Sequence, residues 1–244
     1  MAGCIARPSA FANVLANPLG QPPLHIKPVG RLNWETVAAH IGEEFRGIFA
    51  TAKRVFTDAA WLEGVLRSNP PLPETAPANL TEDDVERLLA AGLVEEVRRD
   101  EIKAWVCAFS VHEPQKQRRR LITEPRLNDI LLDPGVVELP GPDAVCAKVL
   151  APGAVTMDFP WWYGQMPLDR SVAPFYGFCW RPPSGGKLRH FILLTVPTGS
   201  RQTPALAQAI SKSIALKVAK PEQQEVYLEN FRFVGRRPET EHAA

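Results

Sequence analysis

The sequence predicts an α+β protein: helices dominate the first third, and short strands mixed with helices make up the rest. Three observations carry this. Apolar residues recur at three- and four-residue spacings between Asn33 and Arg67. After Gly92 the pattern shortens to β-rich runs bounded by turn residues. No internal repeat and no regular strand–helix–strand alternation is present, which excludes solenoids and a doubly wound sheet.

Each element has its own signal. Residues 1–30 are rich in Pro and Gly and are expected to be irregular. Trp34, Val37, Ile41, Phe45, Ile48 and Phe49 mark one apolar helical face, with a break allowed at Gly42 or Gly47. The linker "SNPPLPETAPAN" closes this extension, residues 1–79. Thr81 is placed to N-cap the next helix, with Asp84 three residues on, a Leu80–Val85 staple and Gly92 as its stop. Val85, Leu88 and Leu89 form its apolar face. "AWVCAFSVH" and "RRLIT" read as strands, and "LNDILL" is ambiguous. "KVLAPGAVTMDF" reads as a turn and a strand, and "APFYGFCW" and "KLRHFILLTV" as a hairpin through "RPPSGG". "PALAQAISKSIALKVA" reads as a helix with Leu206, Ile210, Ile214 and Leu216 inward and polar residues outward. "EVYLENFRFVG" closes as a second hairpin. The three segments are thus 1–79, 80–150 and 151–244.

The 28 Lys and Arg against 27 Asp and Glu give a net charge of +1, so overall charge selects no partner. Its distribution says more: Lys116, Arg118, Arg119, Arg120 and Arg126 cluster. Cys4, Cys107, Cys146 and Cys179 lie far apart, without metal-ligand spacing, and read as free thiols of an intracellular protein. No apolar run reaches the roughly 20 residues of a membrane helix. The start has no signal-peptide core, although its lack of acids before Glu35 leaves a transit peptide open.

Four stretches could carry chemistry, and each has a plainer alternative. Asp158 ends an apolar strand and could bind a cation or cap a turn. Glu229 sits at a hairpin tip, and a second carboxylate brought beside Asp158 would suit Mg²⁺. "VPTGSRQTPALAQ" could let Gly199 approach a ligand closely, with Thr203 capping a helix that carries Pro204 in its first turn, or could be a simple connection. The arginine run could grip a triphosphate or be a solvated face.

Taken in order, these stretches resemble the fingers–palm region of retroelement reverse transcriptases, over roughly Leu80 to Gly235. "TEDDVERLLAAGLVEE" with "AWVCAFSVH" looks like the lead-in to the fingers. "RRRLITEPRLN" is similar to the family's R-x-[LIV]-x-x-x-x-x-N stretch. "MDFPWWYGQMPL" and "VPTGSRQTPALAQ" look like its first and second palm motifs, and "VYLENF" takes the place of its Y-x-D-D hairpin. The nearest type is a tyrosine-recombinase-type (VIPER-like) element.

The resemblance implies a polymerase-type palm with fingers, acting on an RNA/DNA primer–template with dNTPs and two Mg²⁺ ions. Asp158 would bind both ions, with Glu229 and Asn230 standing at the other catalytic positions. Lys116, Arg119 and Arg120 would contact the dNTP phosphates, and Tyr163 would stack under the sugar. Thr198, Gly199 and Arg201 would line the pocket for dNTP and templating base, and Gln208 would fix its loop. Two departures stand out. Glu229 carries one methylene too many, and Asn230 removes a negative charge. A misplacement of about 1 Å can cost about a hundredfold in rate. Beyond the hairpin the chain holds only "RRPETEHAA", without room for a thumb. The resemblance therefore implies an impaired enzyme, or a non-catalytic nucleic-acid-binding relic. An unrelated α+β scaffold is the remaining alternative.

Overall fold

The computed structural model describes residues 21–27, 30–132, 139, 141 and 153–234. The irregular start over 1–20, Cys4, Cys146, the turn before Gly153 and the tail from Gly235 lie outside the described residues.

The described part of the extension forms three α-helices, α1 (Trp34–His40), α2 (Arg46–Thr57) and α3 (Ala59–Arg67). The chain breaks at Ile41 and Gly42, as the sequence allows. Side chains cap two of the three: the Asn33 carboxamide oxygen accepts from Thr36 N at 2.8 Å, and Asp58 accepts from Trp61 N at 2.9 Å. Helix α4 (Glu82–Ala90) carries the full reciprocal cap. Thr81 Oγ1 accepts from Asp84 N at 3.1 Å, and Asp84 accepts from Thr81 N at 2.9 Å. Gly92 ends it in the left-handed region at φ 63°, where a side chain would be strained.

The described residues of the remaining chain form eight strands: β1 (Val94–Val97), β2 (Val106–Glu113), β3 (Arg118–Pro125), β4 (Ala154–Asp158), β5 (Gly177–Trp180), β6 (Arg189–Leu193), β7 (Gln224–Tyr227) and β8 (Asn230–Val234). They make three antiparallel units: β1–β6–β5, the hairpin β2–β3, and β4–β8–β7. Leu24 adds a parallel bridge to the free edge of β3, with His25 N donating to Arg119 O and Arg119 N to Pro23 O.

Helix α5 (Gln202–Val218) lies between the β4–β8–β7 sheet and α2. Ala215 joins Val226, Phe231 and Phe233 in a small cluster under that sheet, with Met157 at its margin. The main core unites α2 to α4, β1, β2, β5, β6 and the first half of α5. The N-terminal helices share it: Gly42 N donates to Ser213 Oγ at 3.0 Å, and Tyr176 Oη to Val55 O at 2.9 Å.

The inward face expected of α5 is corrected in two ways. Leu206 and Ile210 are buried, but Leu216 is exposed. It lies in the last turn of the helix, about 120° round from Ile210 at about 100° per residue. The polar residues Gln208, Ser211 and Ser213 are buried, because the helix is covered on both sides. Thr203 does not cap α5 either. The helix already begins at Gln202, and Thr203 Oγ1 donates to Pro197 O at 2.9 Å from inside the first turn.

Candidate active site

Strand β4 alternates. Val155 and Met157 are half-buried, while Ala154, Thr156 and Asp158 are exposed on the other face. Asp158 stands directly across from Asn230 of β8, and Asn230 directly across from Tyr227 of β7. Directly opposed residues share a face, with Cβ atoms about 5 Å apart. The cross-strand neighbour of the Asp158 carboxylate is therefore a neutral amide. Glu229 lies one step further, in the two-residue turn, and its carbonyl accepts from Phe159 N at 3.1 Å. The backbones of Asp158 and Glu229 thus lie at the same end of the sheet.

That turn is strained and supported. Leu228 has φ 54°, a left-handed conformation that costs a non-glycine residue about 1–3 kcal/mol. The fully buried amide of Gln208 braces it. Nε2 donates to Val226 O at 2.8 Å, and Oε1 accepts from Leu228 N at 2.7 Å. The resemblance has Gln208 fixing its own loop; both ends of its amide hold the hairpin instead.

After Asp158 the chain folds back over β8. Phe159 meets Phe231 edge-on at 5.1 Å and stacks on Trp162 at 4.8 Å. Trp162 is buried. Tyr163 is next, half-buried, in a short 3₁₀ turn (Trp162–Gln165). Burial, and then the charges of Glu229 and Tyr227, push its phenol up to about 12, while Arg120 pulls the other way. Tyr163, Glu229, Tyr227 and Arg120 therefore share one corner. Glu229 is half-buried, and its Oε2 has no hydrogen-bond partner there.

The described residues at this corner do not fit a two-metal centre. Among the described residues no group of three or more His, Cys, Asp or Glu side chains gathers in metal-binding geometry. Two divalent cations need dense anionic oxygen, and Asp158 has an amide for its neighbour.

The arginine run divides by strand alternation. Arg120 is exposed, and its Nη2 lies 2.9 Å from Glu113 Oε1. Lys116 is exposed in the turn between β2 and β3. Arg119 points the other way and is 5% exposed. Its Nη2 reaches both oxygens of Asp84 at 2.8 Å, its Nη1 donates to Ser110 Oγ at 3.1 Å and its Nε to Pro22 O at 2.7 Å. The expected phosphate contact by Arg119 is thereby corrected, since every nitrogen of the guanidinium is already engaged inside the protein.

The "PTG" loop docks on β3. Thr123 N donates to Thr198 Oγ1 at 3.1 Å, and Thr198 N returns a bond to Thr123 Oγ1 at 3.0 Å. Gly199 N donates to Thr123 O at 2.8 Å, an approach that leaves no space for a Cβ. Asn128 clamps the loop, donating to Gly199 O at 2.8 Å and accepting from Arg201 N at 3.1 Å. Thr198 and Gly199 are half-buried, and Arg201 is exposed. Sequence reasoning missed Thr123, Asn128 and Glu113 as partners. Asn128 was signalled only as the last residue of "RRRLITEPRLN".

No protein-family profile matches the chain. No curated protein matches it either. Among solved structures it is similar to the foamy viral protease-reverse transcriptase dRH in complex with ds DNA, at 13% identity and a TM-score of 0.57. The match covers 91% of this chain and 41% of that one. At this identity the likeness speaks for the fold: the chain has an α+β, polymerase-type palm architecture.

Proposed function

We propose that the protein is a reverse-transcriptase-like domain that binds a primer–template duplex, and that its capacity for nucleotidyl transfer is impaired. The observation that carries this is the pairing of Asp158 with Asn230 at the end of a palm-type sheet. The position suits a polymerase site, but the partner lacks the charge that site needs. Arg120 and Lys116 would meet phosphates, and Tyr163 would lie against the sugar of a dNTP. The order of the sequence motifs supports descent from a retroelement. The fold shared with a structure solved on double-stranded DNA supports the choice of ligand.

Fluorescence anisotropy of a labelled RNA/DNA primer–template, titrated with the protein at several salt concentrations, tests the binding half. Affinity should fall steeply as salt rises, because phosphate contacts release counterions. Replacing Lys116 and Arg120 by Gln should flatten that slope by about one to two. Absence of binding at low salt would remove the proposal.

A further inference from the structure

Helix α2 has two faces. Phe49, Ala52, Val55 and Phe56 are buried, while Arg46, Ala50 and Arg54 are exposed. Between α2 and the end of α1 lies an open groove of about 530 Å³. Its floor is apolar and low: Ala38 and Ala50 offer only methyl groups, and Ile41 and Phe49 show only their edges, at 5% and 4% exposure. From Arg46 to Thr57 it is about 16 Å long, three helical turns. The rim is cationic. Arg54 and Asp58 satisfy each other, Nε donating to Oδ2 at 3.0 Å, and the Arg54 guanidinium lies 4.9 Å from the Trp61 ring centroid. Arg46 and Lys53 have no carboxylate partner among the described residues. Lys53 Nζ stands instead 5.8 Å from the Phe49 ring centroid.

We infer that this groove is the docking site of an acidic amphipathic helix from a partner protein. Charge complementarity selects the sign, since two uncompensated cations border the floor. Shape selects the helix. Ala38 and Ala50 allow a second helix to approach to an axial distance of about 8–10 Å. Arg46 and Lys53 are seven residues apart, about 10 Å along the axis, so two carboxylates two turns apart on an aligned helix reach both. One large apolar side chain between those carboxylates fills the space over Ala50, against Ile41 and Phe49. A nucleic-acid backbone would offer phosphates to the rim but nothing apolar to the floor, which favours a protein partner. The groove shares no residue with the Asp158 corner, the β2–β3 hairpin or the "PTG" loop, and it does not rest on the proposed function.

The probe is a fluorescein-labelled, alanine-rich helical peptide of about 15 residues, with two Glu seven residues apart and one Leu between them. Fluorescence anisotropy with the full chain at low salt should give a micromolar dissociation constant. A scrambled peptide of the same composition should bind about tenfold more weakly. Ala50→Leu places a good helix former at an exposed position, fills the groove and should weaken binding about tenfold. Arg46→Gln with Lys53→Gln should weaken it about fivefold, the weight of two partly exposed ion pairs. In wild-type protein the peptide should shift the backbone amide resonances of Ala38 and Ala50, a readout that needs no variant to fold. Absence of peptide binding at low salt, equal binding by the scrambled peptide, undiminished binding by Ala50→Leu, or unmoved resonances at Ala38 and Ala50 would overturn the inference. So would displacement of the peptide by primer–template duplex together with weaker duplex binding by Ala50→Leu, which would assign the groove to nucleic acid. If the chain binds the peptide but no duplex, the proposed function fails and this inference stands.

Discussion

The side-chain amide of Gln208 and the backbone of Leu228 are joined by a 2.7 Å hydrogen bond, in which a buried helical residue holds the one left-handed residue of the C-terminal hairpin. The hairpin tip that carries Glu229 is thus set by α5 as well as by its own strands. Replacing Gln208 by Ala should orphan Leu228 N–H and Val226 C=O and destabilise the protein by about 2–4 kcal/mol. Urea unfolding measures the loss. Amide exchange at Leu228 should rise more than at Phe231, whose pairing lies within the strands.

The Asp84–Arg119 pair is the most deeply buried ion pair among the described residues, with side chains 1% and 6% exposed. Asp84→Ala should cost about 3–5 kcal/mol, because Arg119 would keep a buried, unpaired charge. The α4 cap would be lost with it. Asp84→Asn combined with Arg119→Met should recover part of that stability, since no uncompensated charge then remains inside. A denaturation series on the single and double variants checks both statements.

Much of this was legible in the sequence, for local reasons. Thr81, Asp84 and Gly92 announce α4 because capping acts over three or four residues. The two hairpins declare themselves by their turn residues. What escaped depends on what each element packs against. Gln208 and Ser213 are buried because α5 has a sheet on one side and α2 on the other, and no helical periodicity in α5 itself reports that. Arg119 could have been separated from Arg118 and Arg120 by strand alternation, but its buried partner comes from a helix 35 residues earlier. The meeting of Asp158 with Asn230 depends on register between strands some 70 residues apart, which only the motif order hinted at.

The loop that docks on β3 should tolerate no side chain at Gly199. A Cβ there would lie 2.9 Å from Thr123 O and 3.2 Å from Glu124 Cα, and backbone atoms cannot swing aside. Gly199→Ala should destabilise by about 1–3 kcal/mol. It should also loosen the Thr198–Thr123 bonds, which amide exchange at Thr123 and Thr198 would reveal.

Tyr163 should report on Glu229. Its folded-state value of about 12 lies above the usual phenol value of about 10. The stabilisation from keeping its phenol neutral is therefore complete below pH 10 and is lost as pH rises through 12. Phenolate absorbance should show Tyr163 titrating late while the fold persists. Glu229→Gln should lower its midpoint without restoring the usual value, because burial is the larger cause. An unchanged midpoint would separate the two side chains.

Primer extension on an RNA template with Mg²⁺ or Mn²⁺, comparing wild type with the Glu229→Asp, Asn230→Asp double variant, tests the central claim most directly. The account predicts duplex binding by both proteins, no extension by wild type, and extension by the double variant that disappears when Asp158→Asn is added. Extension by the wild type as fast as by the double variant, or a double variant that binds duplex and still extends nothing, would contradict it.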